Sequence, residues 1–157
     1  MKKLFTLGFI IDKGSILLGM KKRGFGQGRW NGFGGKVEQG ESLENAAKRE
    51  FLEESGIDVI SLKEVGKIDF MFLEDGKEME VHVFIVTEYG GTLRETEEMF
   101  PRWFEKDNIP YSDMWVDDEY WLPLLLRGEM FVGRFVFENE KTISEYELNI
   151  LKNNPDD

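Results

Sequence analysis

The stretch GGKVEQGESLENAAKREFLEESG, residues 34–56, constrains the fold more tightly than any other part of the chain. Ser42 is a plausible helix N-cap. Leu43 to Glu54 contains no glycine, proline or valine, and Gly56 suits the left-handed residue that closes a helix. At about 100° per residue, Leu43, Ala46 and Ala47 define a core-facing stripe, and Glu50, Glu53 and Glu54 continue it toward the C-terminus. Glu44, Asn45, Lys48 and Ser55 fall on the other side. A solvated charge run would sit opposite the apolar stripe. Carboxylates in line with it oppose the helix dipole and repel one another, so the arrangement is stable only with cations beside it. Oxygen donors of this kind make a hard site, suited to Mg2+ with Mn2+ as a substitute.

Strands surround this helix. Leu4 to Ile11 and Ile16 to Met20 flank Asp12-Lys13-Gly14-Ser15 as a hairpin, and Val65 to Leu73 and Glu78 to Thr87 flank Glu74-Asp75-Gly76-Lys77 as a second. In the latter, Met79, Val81, Val83 and Ile85 alternate with Glu80, His82, Phe84 and Val86. His82 is the only histidine; with no second one to share a metal, it reads as a packed or solvent-facing side chain. Residues 131–137 and the alternation Tyr146, Leu148, Ile150 add strands. Asp118 to Arg127 reads as a second helix, which Pro123 requires to start late or to bend. Asn153 to Asp157 reads as a frayed tail.

Composition excludes several functions. A chain of 157 residues, 41% hydrophobic, buries about 70% of its unfolded surface, which predicts one domain over residues 1–157. Without cysteine there are no disulfides, thiolate metal sites or cysteine nucleophiles, and a single histidine argues against Ser-His-Asp chemistry. The net charge of −11 argues against a nucleic-acid polymer as partner. An anionic small substrate then needs divalent cations and a local basic patch, for which Lys21-Lys22-Arg23 is the candidate near the front of the chain. The start, MKKLFTLGFII, resembles a signal peptide until Asp12 and Lys13 end the apolar run without a cleavage site. No run approaches the roughly 18 apolar residues of a membrane span. The expectation is a soluble monomer of the cytoplasm, or of a nuclear or mitochondrial pool, with no membrane partner.

The spacing of the acidic helix has a family likeness. Gly35, five residues, Glu41, seven residues, Arg49-Glu50-Phe51, one residue, Glu53-Glu54, one residue and Gly56-Ile57 resemble the Nudix box at every position. The resemblance implies an α+β Nudix fold, a mixed β-sheet sandwiched between α-helices, and hydrolysis of a nucleoside diphosphate linked to another moiety. It also implies that Glu50, Glu53 and Glu54 hold divalent metal, with a carbonyl of the Gly34-Gly35 pair assisting. Arg49, four residues before Glu53, would orient its carboxylate.

Outside the box, MKKRGFGQGRWNGFGGK and MWVDDEYWLPLLL resemble the branch of that family acting on oxidised purine nucleoside triphosphates, a likeness running from Leu4 to about Tyr146. It implies hydrolysis of 8-oxo-dGTP and 2-oxo-dATP to the monophosphate and pyrophosphate, which sanitises the nucleotide pool. By the same likeness Asn31, Asp117 and Asp118 read the base edge. Phe25, Phe70, Phe72, Met79, Met99, Trp115 and Trp121 line the base pocket, one or two of them as plain core. Thr6 and Lys21 lie near sugar or phosphates, and Glu98 is a further metal-site or base-like carboxylate on a loop. Asp117 and Asp118 have the alternative of capping the second helix. Val116 stands where the branch has proline, which loosens that loop. Two other functions stay open: a Nudix hydrolase of dinucleoside polyphosphates or ADP-ribose, and a non-catalytic nucleotide sensor.

Overall fold

The alternation around Glu74–Lys77 becomes the longest feature of the fold, two strands of 16 and 15 residues joined at Gly76 (φ 74°). A computed structural model describes residues 2–151, so the expected tail, Asn153 to Asp157, lies outside the described residues. In chain order the elements are β1 (Lys2–Phe9), β2 (Ile11–Asp12), β3 (Ser15–Lys21), β4 (Trp30–Asn31), α1 (Leu43–Ser55), β5 (Ile57–Phe72), β6 (Lys77–Gly91), β7 (Met99–Glu105), α2 (Asp118–Leu126), β8 (Met130–Asn139) and β9 (Thr142–Leu151). Five strands form a mixed sheet ordered β1-β6-β5-β8-β9, parallel at β1/β6 and β5/β8 and antiparallel at β5/β6 and β8/β9. In a second sheet, β7 runs along one edge of β3 while β2 and β4 occupy the two ends of its other edge.

The first expected hairpin is correct only at its tip. Ile11 pairs with Ile16 and Asp12 with Ser15 across a two-residue turn in which Lys13 (φ 50°) and Gly14 (φ 82°) are both left-handed. Upstream, Leu4 to Phe9 leaves β3 and joins the other sheet beside β6. Ile10, 1% exposed, is the corner that lets one continuous apolar run serve two sheets. Residues 33–37 then run back antiparallel to β1, with Gly8 and Phe33 exchanging backbone bonds of 2.7 and 2.9 Å and Thr6 N donating to Gly35 O at 2.9 Å. Gly34 is required there, because a Cβ would strike the Thr6 carbonyl.

The core divides by strand parity. Val81 and Val83 face a large cluster with Phe9, Ile68, Trp121, Leu122 and Phe135, whereas Val86 faces a smaller one with Ile10, Phe33, Phe51, Ile57 and Met99. α1 covers the smaller cluster and α2 the larger, so helices lie on both faces of the sheets, the expected α+β arrangement. Pro123 sits inside α2, where it has no N–H to give the Glu119 carbonyl, and Glu119 is exposed, so the missing bond falls on the solvent side. His82 is 9% exposed and packed between Glu64 (Nδ1, 3.1 Å) and Glu80 (Nε2, 2.7 Å).

Candidate active site

α1 forms as its punctuation predicts: Ser42 Oγ accepts from Asn45 N, and Gly56, at φ 80°, donates to Leu52 O. Its rotation differs from the expected one. Phe51, the largest apolar side chain of the helix and 1% exposed, turns the buried arc toward Ala47 and Ser55. Ser55, expected to face outward, is fully buried, its hydroxyl donating to Phe51 O at 2.6 Å and accepting from Ile57 N at 3.1 Å. Glu53 moves the other way, onto the rim, with its side chain 57% exposed. The Glu50 side chain is 17% exposed and Glu54 is 4% exposed, so the three carboxylates occupy three depths.

Each acid has a cation beside it. Arg49 pairs with Glu41 at 2.7 and 3.0 Å and with Glu50 at 2.9 Å, and only at 3.4 Å with Glu53, so it orients Glu50 more closely than the expected partner. Lys21 Nζ stands 3.7 Å from both Glu54 Oε2 and Glu98 Oε2, and Arg23 holds Glu98 Oε1 at 2.6 and 2.8 Å. Glu54 Oε1 accepts from Gly34 N at 2.9 Å. Burial nonetheless outweighs these partners and pushes Glu54 up to about 7, and burial raises Glu50 as well. Glu98 is held below the ordinary glutamate value, chiefly by its bonds to Arg23.

With these side chains as they stand, no three acidic or histidine groups among the described residues converge on one point. The donor set still fits a hard cation. A Cβ at Gly35 would lie 2.5 Å from the Glu50 carboxyl carbon, so the bare glycine is what lets that carboxylate tuck under the loop. Glu54, buried where its charge is disfavoured, gains most from a neutralising ion.

The carboxylates open into a cavity of about 770 Å3 whose far end is aromatic. Thr6 of β1, Lys21 of β3, Asn31 of β4, Phe70 and Phe72 of β5, Met79 of β6 and Trp115, Asp117, Asp118 and Trp121 around the start of α2 all line it. So do Phe25, Gly34, Glu50, Glu53, Glu54, Glu98 and Met99, which brings every site residue implied by the family likeness to one cavity; of the basic cluster, Lys21 and Arg23 line it, while Lys22 bonds Glu95 at 2.6 Å and the Thr96 carbonyl at 2.8 Å instead. Several are also core: Trp121 is 1% exposed, Met99 2% and Phe72 8%, while Phe70 and Met79 are partly buried. Trp115, 9% exposed, packs against Phe25 at a centroid distance of 4.9 Å, with the Arg29 guanidinium 4.1 Å from its ring centroid.

Asp117 and Asp118 are 3% and 2% exposed. Asp117 occupies the N-cap position of α2 without making a side-chain cap; its Oδ2 accepts from Trp121 Nε1 at 2.7 Å. Burial pushes Asp117 up to about 6, and burial together with the Asp117 charge raises Asp118 well above the ordinary aspartate value. Among the described residues the buried side-chain atoms without a hydrogen-bond partner are Asp118 Oδ2 and Thr6 Oγ1, and both residues line the cavity. Each such orphan costs about 1–3 kcal/mol, a cost that a polar ligand would remove.

Sequence reasoning missed part of the lining. Ile68 and Val81 are period-two neighbours of Phe70 and Met79, so strand alternation marks them. Arg23 was marked by the basic cluster Lys21-Lys22-Arg23, whereas Arg29 carried no such signal, because the loop between β3 and β4 has no periodicity. Its turns depend on Gly24, Gly26 and Gly28, all with φ near +80°.

The chain belongs to the Nudix family: the NUDIX domain model matches residues 4–125. It is 52% identical to the oxidized purine nucleoside triphosphate hydrolase of Mus musculus over 146 residues, 93% of this chain and 94% of that one. The protein of the same name from Danio rerio is 50% identical over 147 residues, 94% of both chains. Among solved structures, the MutT protein from Bacillus halodurans is similar with a TM-score of 0.83 at 28% identity, covering 94% of this chain and 97% of that one. Nudix hydrolases use divalent metal ions.

Proposed function

We propose that this Nudix hydrolase cleaves oxidised purine nucleoside triphosphates, 8-oxo-dGTP and 2-oxo-dATP, to the monophosphate and pyrophosphate. The observation that carries the reading is the polarity of the cavity of about 770 Å3: an apolar chamber with two buried carboxyls at one end, and a mouth of carboxylates, Lys21 and Arg23 at the other. Identity of 52% and 50% to the mouse and zebrafish hydrolases, over 93% and 94% of the chain, supports it.

In this reading the chamber walls, Phe72, Phe70, Met79 and Trp115, hold the purine ring, and Asn31, Asp117 and Asp118 meet its edge. Asp118, favoured in its protonated form, presents a donor to a purine oxygen, while Asn31 offers either polarity of its amide. Thr6 Oγ1 lies free to bond the nucleoside. Lys21 and Arg23 face the phosphates, and Glu98, kept ionised by Arg23, is a proton acceptor at the mouth. Glu50, Glu53, Glu54 and Glu98, with the Gly34 carbonyl, would hold the divalent ion, which we take to be Mg2+ with Mn2+ as a substitute. When bound, such an ion neutralises phosphate oxygens and lowers the pKa of a coordinated water.

We place the enzyme with the free nucleotides of the cytoplasm, as a monomer; among the described residues no helix is long and apolar enough to cross a membrane. The test is product analysis on 8-oxo-dGTP, 2-oxo-dATP, dGTP, dATP, ADP-ribose and a dinucleoside tetraphosphate, with Mg2+. Preference for the two oxidised purines, with monophosphate and pyrophosphate as products, is expected. Preference for ADP-ribose or the dinucleotide would replace this substrate assignment, and binding without turnover would make the chain a sensor.

A further inference from the structure

The loop between β6 and β7 meets the end of α1 through one side chain. Thr96 Oγ1 donates to the Glu54 carbonyl at 3.0 Å and accepts from the backbone N–H of Glu98 at 3.3 Å and of Met99 at 3.1 Å. A hydroxyl has one proton and two lone pairs, so its whole bonding capacity is used. The last carbonyls of a helix lack partners within it. Here the loop supplies two donors to them, Thr96 Oγ1 to Glu54 and Arg94 N to Ser55 O at 2.8 Å. A single oxygen therefore ties together the main chains of Glu54 and Glu98, whose carboxylates lie 3.7 Å from the same ammonium group, Lys21 Nζ.

We propose that Thr96 is a positioning residue for hydrolysis: its hydroxyl sets the helix carboxylate Glu54 and the loop carboxylate Glu98 in register. The inference rests on the reading of Glu54 and Glu98 as reacting-site groups. The other ties of Glu98 run to the end of β3, through Lys22 N to Glu98 O at 2.8 Å, through Arg23 and through Lys21; of these only the Lys21 ammonium also reaches α1, at 3.7 Å from Glu54, too long for a hydrogen bond that fixes the main chains. Without the hydroxyl the loop keeps its hold on β3 but loses its side-chain hold on the helix.

Thr96→Val preserves shape and removes all three bonds, whereas Thr96→Ser keeps them. A misplacement of about 1 Å at a reacting group costs up to about a hundredfold. Thr96→Val is therefore expected to lower kcat by about tenfold to a hundredfold with KM within about threefold, because the base chamber is built by other segments. Thr96→Ser should stay within about threefold of the parent, and Mn2+ titration of the nucleotide-free protein should show weaker binding for the valine variant alone. In a Glu98→Gln background, Thr96→Val should add little further loss. If Thr96→Val does not fold, Thr96→Ala takes its place with the same expectations. Parental kcat and Mn2+ affinity in the hydroxyl-less variant, alongside an impaired Glu98→Gln, would overturn this inference alone. Parental turnover of Glu98→Gln would sink the underlying reading and this inference with it. Equal damage from serine and valine would assign Thr96 a packing role instead.

Discussion

Replacing Glu54 by glutamine should make the metal-free protein more stable while abolishing most of its activity. The carboxyl is 4% exposed, and burial lifts it from the ordinary 4.5 to about 7 despite Lys21 and the Gly34 N–H. An acid whose folded pKa lies above its unfolded one binds its proton more tightly in the native state. Below about 4.5 both states are protonated and nothing is lost; between about 4.5 and 7 stability falls as pH rises; above 7 the full cost is present. At about 1.36 kcal/mol per pH unit that cost is roughly 3 kcal/mol. Glutamine carries no charge and keeps an oxygen for Gly34 N–H, so Glu54→Gln avoids the cost. In a protein of this size about 1 kcal/mol moves Tm by about 2–4 °C, so the variant should melt about 6–12 °C above the parent near pH 8 in EDTA. The gap should close as pH falls toward about 5. Added Mg2+ should raise the parent's Tm more than the variant's, and kcat should fall by at least about a hundredfold. A Tm gap that is flat from about pH 5 to 8, or a variant less stable near pH 8, would refute the reasoning, which derives the whole gap from one buried charge.

Four further substitutions test other parts of the cavity. Trp115→Ala removes a 9% exposed ring that packs with Phe25, Phe72 and Phe137, so it should both raise KM and cost about 3–5 kcal/mol in denaturant melts; a raised KM with unchanged stability would contradict its place in the core. Asp117→Asn and Asp118→Asn should change the ratio of kcat/KM for 8-oxo-dGTP and 2-oxo-dATP, each in its own way, since only Asp117 also bonds Trp121. An unaltered ratio across about pH 6 to 9 would remove the pair from base selection. Gly35→Ala places a methyl 2.5 Å from the Glu50 carboxyl carbon and should lower kcat by about tenfold or more while KM changes little; parental kcat would show that Glu50 has room to move.

Local chemistry was readable where one segment carried the whole signal. Ser42, the glycine-free run and Gly56 delimit α1 because capping is satisfied within a few residues, and Gly76 marks the long hairpin for the same reason. The partner of β1 was not readable: an apolar alternation states which face is buried but not which sheet buries it, and only the corner at Ile10 decides that Leu4 to Phe9 leaves β3. Glu53 and Ser55 were misplaced because the stripe drawn through Leu43, Ala46 and Ala47 left out Phe51, whose bulk sets the rotation of the helix. Arg29 was missed because nothing in an aperiodic loop predicts where a long side chain ends.

The cavity's two ends are made by different lengths of chain. Gly34, Gly35, α1 and the loop around Glu98 supply the acidic mouth, whereas Phe70, Phe72, Met79 and the residues from Trp115 to Trp121 supply the chamber. Only short pieces of β1 and β3, at Thr6 and Lys21, and the loop that follows β3 touch both. Cutting and choosing are therefore carried by different segments: substitutions in β5, β6 and the start of α2 can rebuild the chamber around a different base without touching Glu50, Glu53, Glu54 or Glu98. A lineage carrying this scaffold can change its diet and keep its teeth.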